Sequence, residues 1–114
     1  LGSLVVNPAQ GIAHGIVLGT LARLAGADIS VFPNHGGRFS FSPEECLDIR
    51  DRSTEPLGSL APMWPSPDGG MSLERIPDML DFYGPDVALL IGGALSRGVL
   101  ADNARAMVAA ITAL

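Results

Sequence analysis

The feature that most constrains this chain is a repeated change of period. Short apolar runs end in turn residues, and each is followed by a stretch with helical spacing. Leu4-Val5-Val6 ends at Asn7-Pro8, and Gly11 to Gly26 then carries Val17, Leu21, Leu24 and Ala25 on one helical stripe. Asp28 to Phe32 reads as a second strand, stopped by Pro33-Asn34-His35-Gly36-Gly37. Ser42-Pro43-Glu44-Glu45 then supplies an N-cap, a proline for the first turn and a capping-box glutamate, predicting a helix to about Arg52. Leu60 to Met63 is the third expected strand. The next helix has Pro77 in its first turn, Ile76, Met79, Leu80 and Tyr83 on its buried side, and Gly84 as its stop. Val87 to Ile91 is apolar without alternation, as suits a strand covered on both faces. Ala101 to Leu114 is the last expected helix, with Ala104, Met107 or Val108, and Ile111 facing inward.

The order β-α-β-α-β-α-β-α, at about 30 residues per unit, predicts parallel strands joined by right-handed crossovers. Two α/β architectures satisfy it: a small doubly wound sheet, or half of a (β/α)₈ barrel. A whole barrel needs about 200 to 250 residues, and this chain has 114. The expectation is the carboxyl-terminal half of a barrel, strands five to eight, filling residues 1–114. The amino-terminal domain and strands one to four would then lie outside it.

Composition removes several functional classes. The chain is 47% hydrophobic and 17% charged, as in a globular protein rather than a disordered one. It has no apolar run of the roughly 18 residues a membrane span requires, and no signal-peptide pattern, so a cytoplasmic location is expected. Its single cysteine, Cys46, lies on the apolar side of a helix and reads as a packed core thiol. The net charge is −5, and all seven cationic side chains are arginines scattered between Arg23 and Arg105. No basic stripe marks a nucleic-acid binder. Without lysine the chain supplies no Schiff base, lysine general base or lysine carbamate.

In either architecture the ligand site lies at the carboxyl ends of the strands. Asn7-Pro8, the Pro33 to Gly37 turn, Asp68-Gly69-Gly70 and Gly92-Gly93 all fall there. Glycine pairs between a strand and a helix can present backbone N–H groups to a phosphate, or can simply make turns. On the last two strands of a barrel they occupy the recurrent phosphate position. His35 and Arg38 are the candidate catalytic residues in the second turn, the alternatives being a solvated histidine and a surface ion pair. Asn7, Asn34 and Asp68 are candidate substrate contacts, and Asp68 also fits as a brace for its turn. Arg97 faces either a phosphate or solvent. His14 reads as structural, and Trp64 with Met63 as pocket wall or core. No His/Cys/Asp/Glu spacing makes a metal site by itself.

With its glycine pairs placed this way, the chain resembles the RuBisCO large-subunit barrel, and in particular the RuBisCO-like proteins. The matching stretches are Leu18 to Asp28, Pro33-Asn34 to Gly37-Arg38-Phe39, Pro67-Asp68-Gly69-Gly70-Met71, and Gly84-Pro85-Asp86 through Ile91-Gly92-Gly93. The resemblance implies that Gly69, Gly70, Gly92 and Gly93 bind a substrate phosphate. It also implies a homodimer and a magnesium ion whose ligands, with the family's carbamylated lysine, lie on strand two outside this chain. The departures matter as much. Asn7-Pro8 stands where the carboxylase has His-Arg, and the strand-six histidine is replaced in the Val31 to Pro33 region. Arg38 aligns with the mobile-loop lysine, and Asp68 replaces a serine. These changes remove groups needed for a bisphosphate and for carboxylation. The implied activity is therefore enolisation of a phosphorylated keto sugar or keto sugar acid, with an isomerase, tautomerase or decarboxylase outcome. The alternatives are a true ribulose-bisphosphate carboxylase and a non-catalytic phosphometabolite-binding barrel.

Overall fold

The computed structural model describes residues 7, 9–38 and 40–113. The expected first strand, Leu4 to Val6, lies outside the described residues, as do Pro8 and Phe39. The first helix, α1, is π-helical over Ile16–Leu21 and α-helical over Ala22–Leu24. It is followed by β1 (Ile29–Pro33), α2 (Pro43–Thr54), β2 (Trp64–Asp68), a 3₁₀ turn at Leu73–Arg75, α3 (Ile76–Tyr83) and α4 (Leu100–Thr112). β1 and β2 pair in parallel, Ile29 opposite Trp64 and Pro33 opposite Asp68.

The capping chemistry behaves as the residues dictate. Ser42 Oγ accepts from Glu45 N at 3.2 Å, and Glu45 Oε2 accepts from Ser42 N at 2.9 Å. α1 packs on α2 through its glycines: a Cβ on Gly19 would lie 2.7 Å from Arg52 Cβ, and one on Gly15 would overlap Asp48. Close backbone approach is what glycine permits here. Phe32, Cys46, Ile49, Met79 and Tyr83 form the core between sheet and helices, with Leu18 at its edge. Cys46 is fully buried, its thiol pushed upward in pKa first by burial.

Two strand expectations need correction. The third strand is Trp64–Asp68, four residues later than Leu60 to Met63. Its Trp-Pro-Ser-Pro-Asp sequence reads against a strand, because proline cannot donate to a ladder. The register explains why it survives. Trp64 N donates to Asp28 O at 2.9 Å, and Asp68 O accepts from Asn34 N at 2.8 Å. Residues 64, 66 and 68 therefore turn their polar backbone groups toward β1, while Pro65 and Pro67 turn away from it. Val87 to Ile91, the fourth expected strand, runs on that outer side but forms no ladder. Ala88 N donates to Pro65 O at 3.0 Å, and the return bond from a proline nitrogen is chemically impossible. Val87, Leu89 and Ile91 are held by packing against the core.

The helices also differ in detail. α1 takes a π form within the expected Gly11 to Gly26 helix, and α4 begins at Leu100. None of α4 is buried: Val108 is 60% exposed and Ile111 40%. The helix meets α3 and the 3₁₀ turn with Asn103, Met107 and Ala110 half-buried, so of the inward face expected of Ala104, Met107 or Val108, and Ile111 only Met107 turns inward. Met63 is buried, whereas Trp64 is 48% exposed.

Candidate functional site

The turns after β1 and β2 lie at the carboxyl ends of two adjacent parallel strands, and they touch. A Cβ on Gly37 would sit 3.3 Å from Gly69 C, and one on Gly70 would sit 3.2 Å from Gly37 Cα. Gly36, Gly69 and Gly70 have φ of 77°, 96° and 64°, a region L side chains rarely adopt. Beside this contact lies a cavity of about 230 Å³, lined by Val31, Phe32, Pro33, Asn34, Gly37, Arg38, Asp68 and Gly69. It brings together an arginine, a carboxylate and glycine backbone, a combination suited to a small anionic, hydroxyl-bearing ligand.

Beneath it, Asn34 anchors the first turn. It is 1% exposed, and its Oδ1 accepts from Tyr83 Oη at 2.6 Å and from its neighbour's amide, His35 N, at 2.9 Å. Its Nδ2 lies 3.2 Å from Met79 Sδ and 3.4 Å from Met71 Sδ. With both ends of the amide engaged, Asn34 orients the turn rather than projecting from it. Tyr83 is held in its neutral form, first by burial.

His35 does not line the cavity. Its ring packs on Phe82 with centroids 4.4 Å apart, and its buried Nε2 has no hydrogen-bond partner. Burial, and then the Arg75 charge, hold its pKa below the usual value of 6.5. Asn7 lies elsewhere, on a cavity of about 450 Å³ shared with Gln10, His14, Glu44, Glu45 and Asp48. His14 Nδ1 is 3.3 Å from Glu45 Oε1, and its ring stacks on Phe41. Gly92 and Gly93 belong to a turn closed by Leu95 N on Gly92 O at 3.0 Å, and they line neither cavity. Their φ values are ordinary, and no atom lies within 4 Å of where a Cβ would be. Neither backbone strain nor packing among the described residues requires glycine there.

Sequence reasoning missed Arg75. Its Nη1 donates to Gly70 O at 2.6 Å and its Nη2 to His35 O at 3.3 Å, so one guanidinium joins both turns. The available signal was its place five residues after a glycine pair, where a fork can reach back to the turn. Arg23 was missed as well. It is 3% exposed and donates to Glu55 O at 2.5 Å, Ala61 O at 2.9 Å and Leu60 O at 3.0 Å. It ties α1 to the end of α2 and to the segment leading into β2.

The two parallel strands and their helices are consistent with part of an α/β barrel, with a glycine-lined candidate site at the strand ends. No family model matches the sequence, but individual proteins and structures do. RuBisCO-like protein 1 of Rhodopseudomonas palustris is 48% identical over 87 residues, covering 76% of this chain and 24% of that protein. The 5-methylthioribulose-1-phosphate isomerase of Rhodospirillum rubrum is 46% identical over 102 residues, covering 88% and 27%. The crystal structure of a Rubisco-like protein from Alicyclobacillus acidocaldarius superposes with a TM-score of 0.88 at 34% identity, covering 98% of this chain and 28% of that one. A more distant relative, from Exiguobacterium sibiricum, is 31% identical over 94 residues, 82% of this chain and 24% of its own length. It is named 2,3-diketo-5-methylthiopentyl-1-phosphate enolase. The chain belongs to the RuBisCO large-subunit superfamily, on the side of the RuBisCO-like proteins. It spans about a quarter of the length of the curated relatives it matches.

Proposed function

We propose that this chain is the carboxyl-terminal barrel half of a RuBisCO-like enzyme that enolises a phosphorylated keto sugar. One observation carries the reading: two glycine turns at adjacent strand ends meet beside a cavity lined by Arg38, Asp68 and Gly69. The names of its relatives support it, since both the isomerase and the enolase act on a 1-phosphate. The isomerase is the more similar, at 46% against 31% identity, which favours an isomerase outcome. Both outcomes begin by removing a proton beside a carbonyl.

Within this reading, Gly69 and Gly70 offer backbone to the phosphate. Gly92 and Gly93, glycines without an internal reason to be so, leave room for it at the end of the neighbouring Val87 to Ile91 segment. Arg38 meets a ligand oxygen through its fork, and Asp68 accepts from a substrate hydroxyl. His35 turns toward Phe82, so it is not assigned the proton abstraction. The described residues contain no group of three or more His, Cys, Asp or Glu that would hold a metal. The magnesium proposed for the full-length protein is therefore assigned to ligands outside this chain, and no step is routed through it. Pairing into a homodimer is part of the same proposal.

The test is a substrate comparison in the full-length protein. Turnover of 5-methylthioribulose 1-phosphate or 2,3-diketo-5-methylthiopentyl 1-phosphate is expected, without fixation of labelled carbon dioxide onto ribulose 1,5-bisphosphate. In a variant carrying Gly93→Ala, KM is expected to rise about tenfold or more, with kcat changing less. Fixation at ordinary carboxylase rates, or a KM indifferent to Gly93→Ala, would overturn the reading.

A further inference from the structure

We infer that Arg75 is a positioning residue that sets the anion-binding shape of the two touching glycine turns. The inference rests on the phosphate reading above and deepens it. Arg75 lies in the 3₁₀ turn before α3, outside the glycine motif and outside the cavity lining. Its two terminal nitrogens reach carbonyls on different turns, Gly70 O after β2 and His35 O after β1. It also lies against both glycines: a Cβ on Gly70 would be crowded at 3.1 Å from Nη1, and one on Gly36 would be in ordinary contact at 3.5 Å from Nη2.

A trans peptide holds its C=O and the following N–H in opposite directions. Drawing Gly70 O and His35 O toward the guanidinium therefore points the N–H groups of Met71 and Gly36 away from it. One side chain thus fixes the orientation of two peptide units, one in each turn. Those are the units whose direction decides whether a glycine turn receives an anion or repels it. The charge matters as well. Among the described residues no carboxylate lies within ion-pair distance of the Arg75 guanidinium. Lysine is a poor substitute, because a single ammonium lacks the planar fork that serves two separate carbonyls.

The test measures inorganic phosphate binding to the full-length protein by calorimetry, beside KM and kcat for 5-methylthioribulose 1-phosphate. Arg75→Gln is expected to weaken phosphate binding and raise KM by about tenfold or more, with kcat changing less. Arg75→Lys is expected to fall between the two. Gly37→Ala, which wedges the turns apart while leaving Arg75 in place, is expected to weaken phosphate binding in the same way. Should Arg75→Gln fail to fold, Arg75→Lys and Gly37→Ala carry the test. Phosphate binding within about twofold of wild type in the folded Arg75 variants would overturn the inference while the phosphate reading stands. A wild-type protein that does not bind phosphate would overturn both, and is recognised before any variant is made.

Discussion

At the scale of single residues, Arg23 and Arg75 are set against backbone carbonyls, whereas Arg50, Arg52 and Arg105 pair with nearby carboxylates. Arg23 is the deepest case, buried and shared among Glu55, Leu60 and Ala61. Replacing it by methionine keeps most of the bulk but leaves those carbonyls unpaired. A loss of about 2 kcal/mol or more is expected in denaturant unfolding of the full-length protein, and Arg23→Lys should recover little of it. Tyr83→Phe removes the 2.6 Å bond to Asn34. It is expected to cost about 1–3 kcal/mol, and to loosen the His35 turn as read by amide exchange. His35 adds a dependence on pH. Burial and Arg75 hold it below 6.5, so the native state prefers the neutral ring. As pH falls through 6.5 the unfolded chain takes up the proton first. Stability is therefore complete above that value and is lost on the way down toward the folded pKa. Melting curves from pH 7.5 to 5.5 should show this acid loss in wild type and a weaker one in His35→Gln.

At the scale of elements, what sequence reveals depends on whether the deciding contact is local. The capping box at Ser42 and Glu45, the buried positions Ile76, Met79 and Tyr83, and the stop at Gly84 were legible because each is fixed within a turn or two of helix. β2 was misplaced because the fate of Pro65 and Pro67 depends on which way they face across a sheet, a relation between distant segments. The candidate site divides along the same line. Gly69 and Gly70 announce themselves through their turn, whereas Arg75 and Asn34 matter through partners about forty residues away or more. The glycine contacts between α1 and α2 belong to this scale too. Gly19→Ala brings a methyl to 2.7 Å from Arg52 Cβ and is expected to cost about 1–3 kcal/mol in stability. Reduced yield and an earlier melt would report it. A neutral result would mean the helices can separate freely.

At the scale of the whole molecule, the sheet leaves one apolar face open. Ile29 is 54% exposed, Val31 52% and Trp64 48%, and Val99 before α4 with Leu100 and Val108 on it are exposed as well. In a complete barrel, further strands and helices would cover such surfaces. The 114-residue chain produced alone is therefore expected to self-associate in sedimentation experiments, with Trp64 emission open to quenching until it does so. A monodisperse monomer with a sharp, reversible melt would instead favour a small independent domain.

The prolines of β2 give that open architecture a safeguard. Along its outer side the strand offers oxygen but no hydrogen, so a stray strand arriving there finds half of its bonds refused. The Val87 to Ile91 segment is accepted because its side chains fit the core, not because its backbone is sticky. During synthesis, that edge would wait for the shape of its own neighbour and stay indifferent to others, which is a form of selectivity exercised by omission.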